Sequence, residues 1–195
     1  MIPFNKPFLT GKEIEYIEQA HSNGHLAGGG SFSKRCQQWL EENLKCKKVL
    51  LTHSCTAALE MSALLVGLQE NDEVIMPSFT FVSTANAIAL RGAKPVFVDI
   101  DPVSLNIDPA QIKQAINANT KAIMPVHYAG VACDMREISN LAKANNLAVI
   151  EDAAQGILSH DNEQFLGTIG DLGALSFHET KNIIAGEGHV PLVWY

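Results

Sequence analysis

Two short stretches of this chain hold residues that could carry out chemistry on an amine. Glu151-Asp152-Ala153-Ala154-Gln155 offers an acid behind an apolar run, and Ser176-Phe177-His178-Glu179-Thr180-Lys181 puts a lysine 29 positions after Asp152. A lysine amine can form a Schiff base with an aldehyde. A carboxylate set against a pyridine nitrogen keeps it protonated and makes the ring an electron sink. Acid and lysine together are the pair that a pyridoxal phosphate site needs. Each residue also has an ordinary reading: Asp152 as a helix cap, Lys181 as a solvated surface lysine.

Further candidates lie at element boundaries. Ser54-Cys55-Thr56-Ala57-Ala58 falls where a strand gives way to a helix, so the first backbone N–H groups and the positive end of the helix dipole face outward. That is a seat for a phosphate, or simply an N-cap by Ser54 or Thr56. The stretch has neither the glycine spacing of a dinucleotide fold nor the Gly-Lys-Ser/Thr ending of a P-loop. Phe81 could stack on a pyridine ring or belong to the core. Gln155 could reach a phenolic oxygen or cap its own turn, and Ser176 could hydrogen-bond a phosphate or face a helix. His53, His127 and His178 show no metal-ligand spacing, so no metal is expected.

The elements that must position these residues alternate regularly. Apolar runs at Val49-Leu50-Leu51, Val74-Ile75-Met76, Pro95-Val96-Phe97-Val98, Ala122-Ile123-Met124, Ala148-Val149-Ile150 and Ala174-Leu175-Ser176-Phe177 read as parallel strands buried on both faces. Helical patterns intervene over 56–68, 84–91, 109–117 and 136–145. Two more precede them: one opened by a Thr10/Glu13 capping box and closed by Gly24, the other capped by Ser31 or Ser33. The pattern predicts an α/β fold with a doubly wound, mostly parallel sheet. In such sheets ligands gather beyond the carboxyl ends of the strands, where every candidate above falls.

The bulk numbers exclude several classes. A length of 195 residues, 47% of them hydrophobic and 18% charged, suits one substantial core. A formal charge of -7 with 14 scattered Lys and Arg argues against a nucleic-acid partner. No leader-like or membrane-length apolar run stands out, so a cytoplasmic protein without a membrane partner is expected. Cys36, Cys46, Cys55 and Cys133 have the spacing of reduced thiols.

Taken together, Ile2-Pro3-Phe4-Asn5, Ser54 to Leu59, Asp72 to Phe81, Pro125-Val126-His127, Glu151 to Gln155 and Ser176 to Asn182 resemble the sugar aminotransferases of the DegT/DnrJ/EryC1/StrS family over nearly the whole chain. The resemblance implies the large domain of the fold type I pyridoxal phosphate transferases. It implies that Thr56, Ala57 and Ser176 hold the cofactor phosphate, that Phe81 stacks on the ring, and that Asp152 pairs with its nitrogen. Gln155 would contact the phenolic oxygen and Lys181 would be the Schiff-base lysine. The implied reaction passes an amino group from glutamate to the keto carbon of a nucleotide-linked 4-keto-6-deoxy sugar in a homodimer. Dehydrating relatives carry histidine at the lysine position, so Lys181 favours amination.

The resemblance also sets an expectation for the chain's end. Family members continue past Gly186-Glu187-Gly188 into a further glycine, one more strand and a small C-terminal domain. Residues 1–188 therefore read as an incomplete cofactor-binding domain, and 189–195 as an aberrant or truncated tail. The strand that family members place antiparallel between the first strand and the lysine-bearing one is expected to be missing, since Pro191 cannot donate to a ladder. Two unpaired edges and an inactive fragment are the expected consequence.

Overall fold

The computed structural model describes residues 1–3, 5–185 and 190–194, the last five by their backbone. Six helices and nine strands alternate along it. They are α1 (Glu13–Ser22), α2 (Ser31–Leu44), β1 (Lys48–Thr52), α3 (Cys55–Leu65), β2 (Glu73–Pro77), α4 (Val82–Ala89), β3 (Lys94–Val98), α5 (Pro109–Ala115), β4 (Thr120–Ile123), α6 (Met135–Asn145), β5 (Ala148–Ala153), the two-residue strands β6 (His160–Asp161) and β7 (Gln164–Phe165), β8 (Leu172–Leu175) and β9 (Val190–Trp194). The main sheet has seven strands in the order β1-β9-β8-β5-β4-β2-β3, while β6 and β7 form a separate small hairpin.

Strand side chains alternate between the two faces of a sheet, so each run feeds two cores. Val74, Met76, Ala122, Met124 and Ile150 pack with Leu40 and Leu44 of α2, Ala58, Leu59 and Ala63 of α3 and Ala87 and Ile88 of α4. Their neighbours Ile75, Ile123 and Val149 pack on the other side with Ile112 of α5 and Met135, Ile138 and Ala142 of α6. The six apolar runs all fall on strands of the main sheet; β2, β3, β4, β5 and β8 pair in parallel, whereas β1 pairs only with antiparallel β9 and the edge strand β3 leaves Phe97 exposed, so burial on both faces holds for the central strands alone. Register along β2 and β3 runs Glu73↔Lys94 to Pro77↔Val98. The capping box at Thr10 is half formed: the Glu13 carboxylate accepts from the Thr10 N–H and hydroxyl at 2.7 and 2.8 Å, while Lys12 takes the N-cap position. Helix α2 begins at Ser31 itself, with Gly30 as N-cap.

The tail departs from expectation. Residues 190–194 form β9, antiparallel to β1 on one side and to β8 on the other, so the central antiparallel position is filled. Pro191 pairs opposite Leu51 of β1, but the ladder to β8 covers only Leu192, Val193 and Trp194 against Ala174, Gly173 and Leu172. A proline is tolerated there because it lies beyond the end of one of its two ladders. Neither β1 nor β8 is left bare along this stretch. The loop expected at Gly186-Glu187-Gly188, with His189, lies outside the described residues, as do Phe4 and Tyr195.

Candidate active site

The carboxyl ends of β1, β5 and β8 and the N-termini of α3 and α4 surround a cavity of about 400 Å³, a size suited to a small cofactor. Its lining includes Cys55, Thr56, Phe81, Asp152, Ser176 and Lys181. Five of the seven residues singled out from the sequence therefore meet at one place, although they are spread over 126 positions from Thr56 to Lys181.

Asp152 comes at the fifth position of β5 and is only 4% exposed. Its Oδ2 accepts from the Thr84 hydroxyl at 2.7 Å and its Oδ1 from the Ala154 N–H at 3.2 Å. Burial pushes its pKa up, and these two donors only partly oppose that. Both donors are neutral. Among the described residues no cation contacts this carboxylate, so the site suits a positively charged group brought by a ligand.

Lys181 follows β8 on a turn in which its N–H donates to the His178 carbonyl at 2.9 Å. The Asn5 side chain donates to the Glu179 carbonyl at 2.9 Å and ties the N-terminal segment to this turn. Ser176 is buried and its hydroxyl accepts from the His178 N–H at 3.4 Å. The cavity also holds Cys55, whose thiol is pushed up in pKa by burial and by Asp152, hence unreactive at neutral pH.

The phosphate seat is more selective than the sequence suggested. Ser54 caps α3, accepting the Ala57 N–H on its Oγ at 3.1 Å. This is the plain N-cap alternative, and it removes Ala57's N–H from any ligand. The Ala58 N–H goes to the Ser54 carbonyl at 3.1 Å. Within the first turn of α3 the N–H groups of Cys55 and Thr56 remain for an anion. Thr56 Oγ1 lies 2.7 Å from Ser83 Oγ, so the first turns of α3 and α4 are joined by a hydroxyl pair on the cavity wall.

Gln155 does not line the cavity. Its Oε1 accepts the Ala129 N–H at 2.8 Å, holding a turn in which Ala129 has φ of 54°. Phe81 is no core residue: it is 74% exposed at the N-cap of α4, on the cavity rim.

Sequence reading missed Thr84, Ser83 and Glu151. Thr84 is fully buried beneath Asp152, and the only hint was a Ser-Thr pair in the first turn of an otherwise apolar helix. Glu151, wholly buried, accepts the N–H groups of Ile169 and Gly170 on Oε1, both at 2.6 Å, and the Gly167 N–H on Oε2 at 2.9 Å. His127 Nε2 completes the set at 2.8 Å. The Cys133 N–H donates to His127 Nδ1 at 3.1 Å, which fixes the proton of the ring on Nε2, facing Glu151. No three-residue His/Cys/Asp/Glu group able to hold a metal occurs among the described residues, and the four cysteines are free thiols.

A buried acid awaiting a cation, a lysine across the cavity and two helix N-termini fit a pyridine ring bearing a phosphate. Fold and site together are those of a pyridoxal phosphate-binding domain of fold type I. Comparison with known proteins agrees. Residues 7–190 match the model of the DegT/DnrJ/EryC1/StrS aminotransferase family, and the chain belongs to that family. The spore coat polysaccharide biosynthesis protein SpsC of Bacillus subtilis is 39% identical over 190 residues, covering 96% of this chain and 48% of SpsC. GDP-perosamine synthase of Escherichia coli O157:H7 is 38% identical over 187 residues, covering 96% of this chain and 51% of that one. The putative sugar aminotransferase Spr1654 of Streptococcus pneumoniae, in its PLP form, superposes with a TM-score of 0.89 at 29% identity, covering 99% of this chain and 53% of its own. The chain thus spans about half the length of the relatives it matches. The family's cofactor is pyridoxal phosphate, known in these neighbours in both its PLP and PMP forms.

Proposed function

We propose that this chain carries the cofactor-binding half of an aminotransferase that moves the amino group of glutamate onto a nucleotide-linked 4-keto-6-deoxy sugar. The substrate is TDP-4-keto-6-deoxyglucose, and the product feeds a cell-surface polysaccharide of the enterobacterial common antigen kind. The proposal puts the protein in the cytoplasm as a homodimer. One observation carries it: Lys181 and the buried Asp152 open onto the same cavity, between the N-termini of α3 and α4. Relatives named for a GDP-linked sugar and for a coat polysaccharide support a nucleotide-sugar substrate class.

When bound, pyridoxal phosphate supplies an electron sink for the carbon that loses or gains a proton. The chain's own part is binding and proton movement. The N–H groups of Cys55 and Thr56, with the hydroxyls of Thr56 and Ser176, hold the phosphate. Asp152 would hold the ring nitrogen in its protonated form, and Phe81, on the cavity rim, would stack on the ring. The Lys181 amine would hold the cofactor's aldehyde and, when free, would carry the proton at the reacting carbon as general base and general acid.

The test is a coupled assay of the protein with pyridoxal phosphate, glutamate and either TDP-4-keto-6-deoxyglucose or its GDP analogue, read by product mass. A glutamate-dependent amino sugar from the TDP substrate is the expected product. Amination of the GDP sugar alone would reassign the nucleotide, and a dehydrated product would overturn the transamination.

A further inference from the structure

Thr84 Oγ1 has three oxygen neighbours and one hydrogen. Asp152 Oδ2 lies at 2.7 Å, the Phe81 carbonyl at 2.9 Å and Thr80 Oγ1 at 2.7 Å. The hydroxyl can donate to only one of them at a time. We propose that Thr84 is a positioning residue whose hydroxyl turns between the Phe81 carbonyl and Asp152, letting this buried acid pass between its neutral and ionised forms with every polar atom still partnered. The inference rests on the cofactor reading above and concerns how Asp152 is kept ready for it.

Both arrangements close. With Asp152 neutral, its Oδ2–H donates to Thr84 Oγ1, and Thr84 donates to the Phe81 carbonyl. With Asp152 ionised, Thr84 turns to donate to Oδ2 and accepts the hydrogen of Thr80. The Phe81 carbonyl keeps the Thr84 backbone N–H at 3.1 Å and is not stranded. A fully buried threonine with no such choice would favour one charge state and penalise the other. The side chains of Lys181 and Cys55 share the cavity with Asp152, and the His127 N–H donates to the Asp152 carbonyl oxygen at 3.0 Å. None of these three donates to the Asp152 carboxylate: burial raises its pKa, the Thr84 hydroxyl and the Ala154 N–H are its only hydrogen-bond donors among the described residues, and His127 and Lys181 oppose the rise electrostatically from a distance.

The proton balance is simple. An incoming ring whose nitrogen is unprotonated takes the proton from Asp152 Oδ2. The N–H so formed faces the new carboxylate, and the Thr84 hydrogen swings from Phe81 to Asp152. No proton is exchanged with solvent, and no other reactant is needed.

The experiment compares the protein with its Thr84→Val, Thr84→Ser and Thr80→Val variants. Two quantities are read: affinity for pyridoxal phosphate by absorbance titration, and the protonation of the bound ring nitrogen by NMR of ¹⁵N-labelled cofactor across pH. Valine at position 84 should weaken binding about tenfold, the loss expected for a hydrogen bond to a charged group, and shift the nitrogen toward its unprotonated signal. Serine at 84 should restore both. Thr80→Val should shift both in the same direction by a smaller amount, and it decides the matter if Thr84→Val does not fold. Equal affinity and equal nitrogen protonation in the folded valine variants, or a serine variant as impaired as the valine one, would overturn the relay. Failure of the unsubstituted protein to bind the cofactor would instead overturn the reading on which the relay rests.

Discussion

Glu151 and Asp152, adjacent on β5 and both buried, hold their carboxylates in two different hydrogen-bond systems. Alternation along the strand sends them to opposite faces of the sheet. The Glu151 carboxylate gathers three backbone N–H groups of residues 167–170 and the His127 ring, so it is fully supplied by the protein. The Asp152 carboxylate has two neutral donors and opens onto the cavity. One acid fixes the scaffold, while the other is left with capacity for a cation.

Replacing Glu151 with glutamine should therefore damage folding rather than the chemistry of the cavity. A glutamine amide turns its NH2 toward N–H groups that now meet an acceptor, leaving buried donors unpaired. The loss should be about 3 kcal/mol, a drop in Tm of roughly 6 to 12 °C for a domain of this size. Urea unfolding measures the first, and faster hydrogen exchange at Gly167, Ile169 and Gly170 should locate it.

Asp152 gives the ligand-free protein a distinctive pH response. Its pKa is raised by burial, so the fold favours the acid form. The stability it contributes is complete below the ordinary carboxylate pKa and is lost as pH rises from there through the elevated value. Asp152→Asn should flatten that decline and raise the Tm of the ligand-free protein at neutral pH. It should also weaken pyridoxal phosphate binding, because an amide cannot hold the ring nitrogen's positive charge. Thermal melts across pH, with and without cofactor, separate the two effects.

Phe81 separates binding from folding in a different way. Being 74% exposed, it contributes little to the core, and Phe81→Ala should change unfolding free energy by less than about 0.5 kcal/mol. If the ring stacks on the cofactor, affinity should fall roughly two- to tenfold. Absorbance titration beside a urea melt tests both halves of that expectation.

How far the sequence could be read depended on the range of each signal. Buried strands announce themselves in short runs of consecutive apolar residues, here three or four long, and all six such runs fall on strands. Thr56, Asp152 and Lys181 each had an ordinary reading by themselves, and it is their convergence on one cavity, following the β1, β5 and β8 strand ends, that sets them apart. Glu151 was not, since its partners are backbone N–H groups 16 to 19 positions downstream that carry no residue signature. Ala57 and Gln155 stand beside the site in sequence, but Ser54 Oγ accepts the Ala57 N–H and the Gln155 Oε1 accepts the Ala129 N–H, contacts that carry no signature in the sequence. Pro191 weakens the sequence signal for β9 because proline cannot donate to a ladder, yet the β8 ladder stops at Leu192, one residue short of it.

The central claim, that Lys181 and Asp152 form a pyridoxal phosphate site, is tested most directly by covalent trapping. The purified protein is incubated with pyridoxal phosphate, reduced with borohydride, digested and mapped by mass spectrometry. A single adduct on Lys181, absent from Lys181→Ala and strongly reduced in Asp152→Asn, is the result expected here. A folded protein with no adduct, or one labelled equally at its surface lysines, would contradict it.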